Sequence, residues 1–159
     1  MTDFARIAKD EFEFLKSEYG YELIGQEDNS NGGYVTFVNR EVGVGVKLQY
    51  EAPSAFVFVF VCRLIDGEIR ENRLPISSDS EINCFDFNDY LEPTQRMKSA
   101  YDYGENSPYY HPKNGLRNFT RGFAARLRSH GDRLLRGDLS ILPEMANVIR
   151  RRAEDLRTT

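Results

Sequence analysis

The chain has 159 residues, of which 40% are hydrophobic and 13% aromatic, with 21 Lys and Arg against 25 Asp and Glu. That length and apolar content support one domain with its own core and exclude a disordered chain. The net charge of −4 is unevenly spread: residues 1–115 sum to −9, residues 116–159 sum to +5, and all ten basic residues of the second stretch are Arg.

The opening Met1-Thr2-Asp3-Phe4 has no basic region ahead of an apolar one and does not read as a signal peptide. The longest apolar run, residues 55–62, is too short to span a bilayer, so no membrane association is expected. Cys62 and Cys84 form neither a disulfide framework nor a zinc spacing. Cys62 reads as a small buried hydrophobe, and a reducing cytoplasm is the expected compartment.

In chain order, Phe4, Ala8, Phe12, Leu15 and Tyr19 recur at helical steps, which predicts a helix over residues 3–18 with Gly20 as its stop. A first strand begins at residues 21–24, and residues 27–33 carry loop chemistry. Strands are expected over 34–39, 42–50, 55–65 and 68–74. Arg40-Glu41 and residues 51–54 turn the chain, and Asp66-Gly67 is a type I′ hairpin signal. If Tyr50 pairs with Ala55, Val44, Val46 and Leu48 face Val61, Val59 and Val57, joined by Val35 and Phe37. Gly45 then lies opposite Phe60 and Gly43 opposite Cys62, so that rings fill the gaps left by glycine. The row Phe56, Phe58 and Phe60 requires cover on the second face, by a helix or by a partner.

Residues 84–91 read as a short helix, 94–100 as a second, and 101–115 as a loop. A helix is expected over 116–136 with a break near residues 129–132, then another with Pro143 in its first turn. The fold class is α+β: an N-terminal helix, an antiparallel meander of about five strands, and C-terminal helices packed on the sheet. A single domain covers residues 1–159. It comprises the helix and meander (1–76), short helices and a Tyr-rich loop (77–115), and an Arg-rich helical pair (116–159).

Three candidate chemistries stand beside plainer readings. Arg117, Arg121 and Arg128 on one helix and Arg150 and Arg151 on the next present the guanidinium forks that suit phosphate. A solvated face paired with the protein's own acidic half explains them equally, and the net charge opposes nucleic acid at long range. No nucleic-acid-binding signature is present. The loop bearing Tyr101, Asp102, Tyr103, Glu105, Tyr109, Tyr110 and His111 has the composition of an interface, or of a lid over the core. Asp86 and Asp89 could serve acid–base work, but a helix N-terminus accounts for them more simply. His111 and His130 lack metal-ligand partners at suitable spacing, and no catalytic motif occurs. A non-enzyme without cofactor or metal is therefore expected. Arg136-Gly137-Asp138 reads as a helix end followed by a cap.

The layout resembles a large, loosely related group of small bacterial proteins. The shared features are an N-terminal helix ending in Phe14-Leu15-x3-Tyr19-Gly20-Tyr21, Val-rich strands, and Leu127-x2-His130-Gly131-Asp132-x-Leu134-Leu135-Arg136-Gly137-Asp138. Several such families look like immunity proteins of polymorphic or contact-dependent toxin systems. The resemblance implies a cytoplasmic protein that neutralises a cognate toxin by stoichiometric binding. An acidic half would suit a basic toxin domain. Asp86 and Asp89 join the Tyr loop residues as candidate contacts. The alternatives are a scaffold or regulatory binding module, a homodimer through the Phe face, and a nucleic-acid binder.

Overall fold

The computed structural model describes residues 2–158. Two short helices, α1 (Phe4–Glu11) and α2 (Phe14–Ser17), replace the single helix expected over residues 3–18. The chain breaks at Phe12 and Glu13, yet the apolar stripe survives the break: Phe4, Ala8, Phe12 and Leu15 are all fully buried. Gly20 ends the segment with a positive φ of 75°, as its type suggested.

Four long strands follow: β1 (Glu22–Asn29), β2 (Gly32–Asn39), β3 (Val44–Glu51) and β4 (Phe56–Ile65). They form an antiparallel meander continued by the two-residue β5 (Glu68–Ile69), with β6 (Cys84–Asp86) also pairing with β4. The α+β class is as expected, but several boundaries differ. Residues 27–29 and 32–33 are strand, because β1 and β2 pair all the way to Asn29 and Gly32. The turn between them is closed by Asn29 Oδ1, which accepts from Asn31 N. β3 starts at Val44 rather than residue 42, because Asn39 Oδ1 accepts from the N–H groups of Glu41 and Val42 and holds residues 40–43 as a turn.

The β3–β4 register is also displaced. Glu51 pairs with Phe56, Tyr50 with Val57, Leu48 with Val59 and Val46 with Val61. The offset from the expected pairing is two residues. The faces therefore hold while every partner changes. Gly45 lies opposite Cys62, not Phe60. A β-carbon there would collide with Ile69 and Leu64, so aliphatic side chains rather than an opposing ring fill the gap. Asp66 and Gly67 both adopt positive φ, 53° and 79°, which the type I′ turn requires. The strand expected over 68–74 ends at Ile69.

The Val face carries the core. Val35, Phe37, Val44, Val46, Leu48, Val57, Val59 and Val61 join Phe4, Phe12, Leu15 and helical residues in one buried cluster. The helical partners come from α4 (Gly115–His130), α5 (Asp132–Leu135) and α6 (Leu142–Thr158). The expected break between the first two falls at Gly131, where a β-carbon would strike Leu127 and Phe87. Pro143 lies in the first turn of α6, and Gly137 ends the preceding segment at φ 103°. Asp138 accepts from Ser140 N and so caps a turn rather than starting the last helix.

The helix expected over 84–91 is half strand: β6 is followed by α3 (Phe87–Tyr90). The backbone of β6 finds partners on both sides, β4 on one and the Asn72 side chain on the other. Asn72 Oδ1 accepts from Asn83 N and Cys84 N, and its Nδ2 donates to Cys84 O. Nearby, Cys62 and Cys84, direct register partners with Cα atoms 4.0 Å apart, are joined by a disulfide. This corrects the reading of Cys62 as a free small hydrophobe. It also removes the sequence-level ground for a reducing compartment. Residues 94–100 form no α-helix: they hold the end of a 3-10 turn at Pro93–Gln95 and the first residue of another at Ala100–Tyr103. No helix among the described residues is long and apolar enough to cross a membrane.

Candidate functional site

The Tyr-rich segment is two 3-10 turns, Ala100–Tyr103 and Pro108–Tyr110, fastened to the body at several points. Ser99 Oγ donates to Ser54 O, and Ala100 N donates to Ala55 O, which fixes the first turn to the β3–β4 connection. Asn118 Nδ2 donates to Pro108 O, which fixes the second turn to α4. The backbone of α4 lies so close that a β-carbon at Gly115 would overlap the Tyr109 carbonyl. Glycine there permits the contact.

This mounting divides the four tyrosines. Tyr109 lies edge-on between Tyr103 and Phe119, with ring centroids at 4.8 and 5.1 Å, and belongs to the core margin. The Tyr103 hydroxyl accepts from Lys98 N. Tyr101 and Tyr110 instead form an outward pair, 6.0 Å between centroids, with 54% and 36% of their surface exposed. Asp102 and Glu105 are close enough to act on this pair. The Tyr110 phenol is held above its ordinary pKa, by lost hydration first and then by Tyr101, Glu105 and Asp102. A cavity of about 220 Å³ lies beneath, lined by Tyr50, Ala55, Tyr101, Tyr109, Tyr110 and Phe119 among others. His111 is structural: its Nδ1 accepts from the N–H groups of Lys113 and Asn114, ahead of α4.

Asp86 and Asp89 do not join this surface. They line a separate groove of about 390 Å³ on the second face of the sheet. Its apolar walls are Phe58, Phe60, Leu74, Ile76, Phe85 and Ile149, and the Cys62–Cys84 disulfide also lines it. Phe58 and Phe60 stack parallel at 5.6 Å. Phe56 instead reaches Phe123 of α4 at 5.4 Å. It can do so because β6 pairs with β4 only at Phe60–Cys62, which leaves the edge open at Phe56. The second face is thus covered in part by the chain itself, through residues 71–76 and α6.

The two carboxylates of the groove behave differently. Asp86 Oδ1 accepts from Asn88 N at the start of α3, the helix-start role read from sequence. Burial nevertheless raises its pKa to about 6, the Asn88 bond opposing, with Asp89 adding to the rise. Asp89 is held in a bidentate pair by Arg152, at 3.0 and 2.9 Å. This geometry places a carboxyl of raised pKa in an apolar wall, with Asp89 and Arg152 acting on it and with Lys47 and Glu71 also lining the groove.

The arginines of the C-terminal helices are largely absorbed by the protein. Arg117 and Arg121 converge on Glu11, Arg117 also meets Asp10, and Arg128 meets Glu18. Arg133, Arg136 and Arg152 pair with Asp138, Asp132 and Asp89. Arg126, Arg150 and Arg157 donate to main-chain carbonyls at Gln95, Ser80 and Ile76. Of the five arginines singled out for nucleic acid, three are ion-paired, Arg150 holds a carbonyl, and Arg151 has no partner among the described residues.

Sequence reasoning missed the groove. Its one signal was the Phe56-Phe58-Phe60 row. The opposite wall comes from residues 71–76 and α6, distant in sequence and unmarked by any period. Comparison with known proteins finds no matching family model, no matching curated protein and no matching solved structure.

Proposed function

We propose that this chain is a non-catalytic protein-binding module of the immunity-protein kind, which neutralises a basic toxin domain by stoichiometric occlusion. The observation that carries this reading is the outward Tyr101–Tyr110 pair, flanked by Asp102 and Glu105 and held on turns bolted to the core. Two large rings fixed in place lose little entropy on binding, and flanking carboxylates select a cationic partner. The charge arrangement adds support. Six of the ten tail arginines are ion-paired within the protein, and the net charge of −4 favours a cationic partner.

The test is co-expression with the product of any neighbouring toxin gene. A one-to-one complex, rescue of growth, and loss of both in the Tyr101→Ala/Tyr110→Ala variant are expected. No complex and no rescue by the native chain would falsify the immunity reading. A complex that survives the double substitution would move the interface elsewhere, the groove being the next surface to alter. A cytoplasmic location belongs to the same proposal, and the Cys62–Cys84 disulfide weighs against it at the usual redox poise. Thiol alkylation in intact cells, followed by mass analysis, decides that point.

A further inference from the structure

Of the four tail arginines that meet no carboxylate, Arg126 holds the Gln95 carbonyl and the other three lie together. Arg150, Arg151 and Arg157 line one hollow of about 470 Å³ between α6 and residues 77–80, completed by Ser78, Asn147 and Glu154. The five helical members recur at three-, four- and seven-residue steps and so share one side of α6. Every lining side chain is polar, in contrast to the apolar groove on the sheet.

The state of these guanidiniums is the informative part. Arg150 donates to Ser80 O at 2.7 Å and Arg157 to Ile76 O at 2.9 Å. A carbonyl holds a guanidinium in place without cancelling its charge, and it occupies only one of five N–H donors. The Nε of Arg150 is buried without any hydrogen-bond partner. Arg151 lines the hollow without a side-chain hydrogen bond or ion pair among the described residues. Three positive heads thus face a single carboxylate, Glu154, in a molecule whose other C-terminal arginines mostly hold carboxylates of their own. Gathering like charges is unfavourable unless an anion completes the set.

We propose that this hollow is a binding site for a phosphate-class oxyanion, carried either free or on a nucleotide. Arg151 and Arg157 would supply forked donors matching two oxygens each, and Ser78 and Asn147 would supply neutral donors. Glu154 opposes the anion and sets an upper limit on affinity.

Titration with inorganic pyrophosphate and with a nucleoside diphosphate, at ionic strength held constant with sodium chloride, tests the site by calorimetry. Saturable binding to one site is expected, weakened about tenfold in Arg151→Ala through loss of one charge-assisted contact. Glu154→Gln should bind more tightly. Both side chains are exposed, so the unliganded thermal midpoint of either variant should match the native one. Equal affinity for the two probes identifies the diphosphate as the recognised part, and tighter nucleotide binding adds the nucleoside. Three results overturn the proposal. These are no saturable binding of either probe, binding unchanged in Arg151→Ala, or binding of a DNA oligonucleotide but of neither small anion.

Discussion

Glu11 is where the two ends of the chain meet electrostatically. Its carboxylate is only 14% exposed and receives Arg117 at 3.1 Å and Arg121 at 3.1 Å. Removing a partly buried partner leaves the other charge stranded, which costs more than the pair contributes. Glu11→Ala should lower the unfolding free energy by about 1–3 kcal/mol. Arg121→Ala should do far less, since its own side chain is mostly exposed and Arg117 still satisfies Glu11. Urea unfolding of the two variants checks the contrast. Asp86 makes a second prediction at this scale. Its folded pKa, about 6, lies above the ordinary 3.8, so the folded state holds the proton more tightly than the unfolded one. The contribution of Asp86 to stability is therefore fully present below about pH 4 and is lost as pH rises through 6. At about 1.4 kcal/mol per unit of pKa the loss is about 3 kcal/mol. Asp86→Asn keeps the acceptor for Asn88 N and removes the titration. Denaturant melts from pH 4 to 7 should show a flatter stability profile in the variant than in the native chain.

At the scale of elements, the strands and turns show what local pattern conveys. Alternation assigned Val46, Leu48, Val57 and Val59 to one buried face, and Asp66-Gly67 announced its turn. Alternation is silent on register in steps of two, because such a slip returns every side chain to its own face. The β3–β4 pairing differed from expectation in that way. β6 shows the complementary failure. Three residues are too few for a period, and its outer edge is satisfied by the Asn72 side chain, 12 positions from Cys84. The disulfide ties this short strand to β4 and closes a loop of sequence separation 22. Chain-entropy arguments put its contribution at about 3 kcal/mol. Adding a dithiol reductant should lower the denaturant midpoint accordingly, and Cys62→Ser/Cys84→Ser should lose that response. Gly115→Ala probes the tyrosine mounting. The Tyr109 carbonyl must move to admit a methyl group, so we expect destabilisation of about 1–3 kcal/mol. A change in the Tyr109 ring signals by NMR should accompany it.

Across the whole molecule, one cluster joins residues from Phe4 to Met145. Phe119, Phe123 and Leu127 of α4 are buried against α1 and the sheet, so the helices are not an appendage. The three stretches distinguished by composition share a single core. A chain truncated after residue 115 should therefore fail to fold cooperatively, with near-ultraviolet circular dichroism lost and the apolar dye response of an exposed core. The opposite charges of the two segments are explained by the same packing. Four of the acidic residues in the N-terminal segment, Asp10, Glu11, Glu18 and Asp89, hold four of the ten tail arginines.

The candidate site was legible in composition and not in placement. Four tyrosines in one segment drew attention to it, yet the segment does not reveal that Tyr103 and Tyr109 turn inward while Tyr101 and Tyr110 turn out. That division depends on Phe119, Gly115 and Ser54, which approach from other elements. Sequence by itself determined the α+β class, the two faces of the sheet, the break at Gly131 and the existence of a charge split. Each is a local or summed property, set by side-chain period, turn chemistry or count. Tertiary structure alone decided which partner each strand takes, that Cys62 meets Cys84, and which guanidiniums carboxylates neutralise. These are distances between residues far apart in the chain, fixed by how the Val face buries itself rather than by any residue's neighbours in sequence.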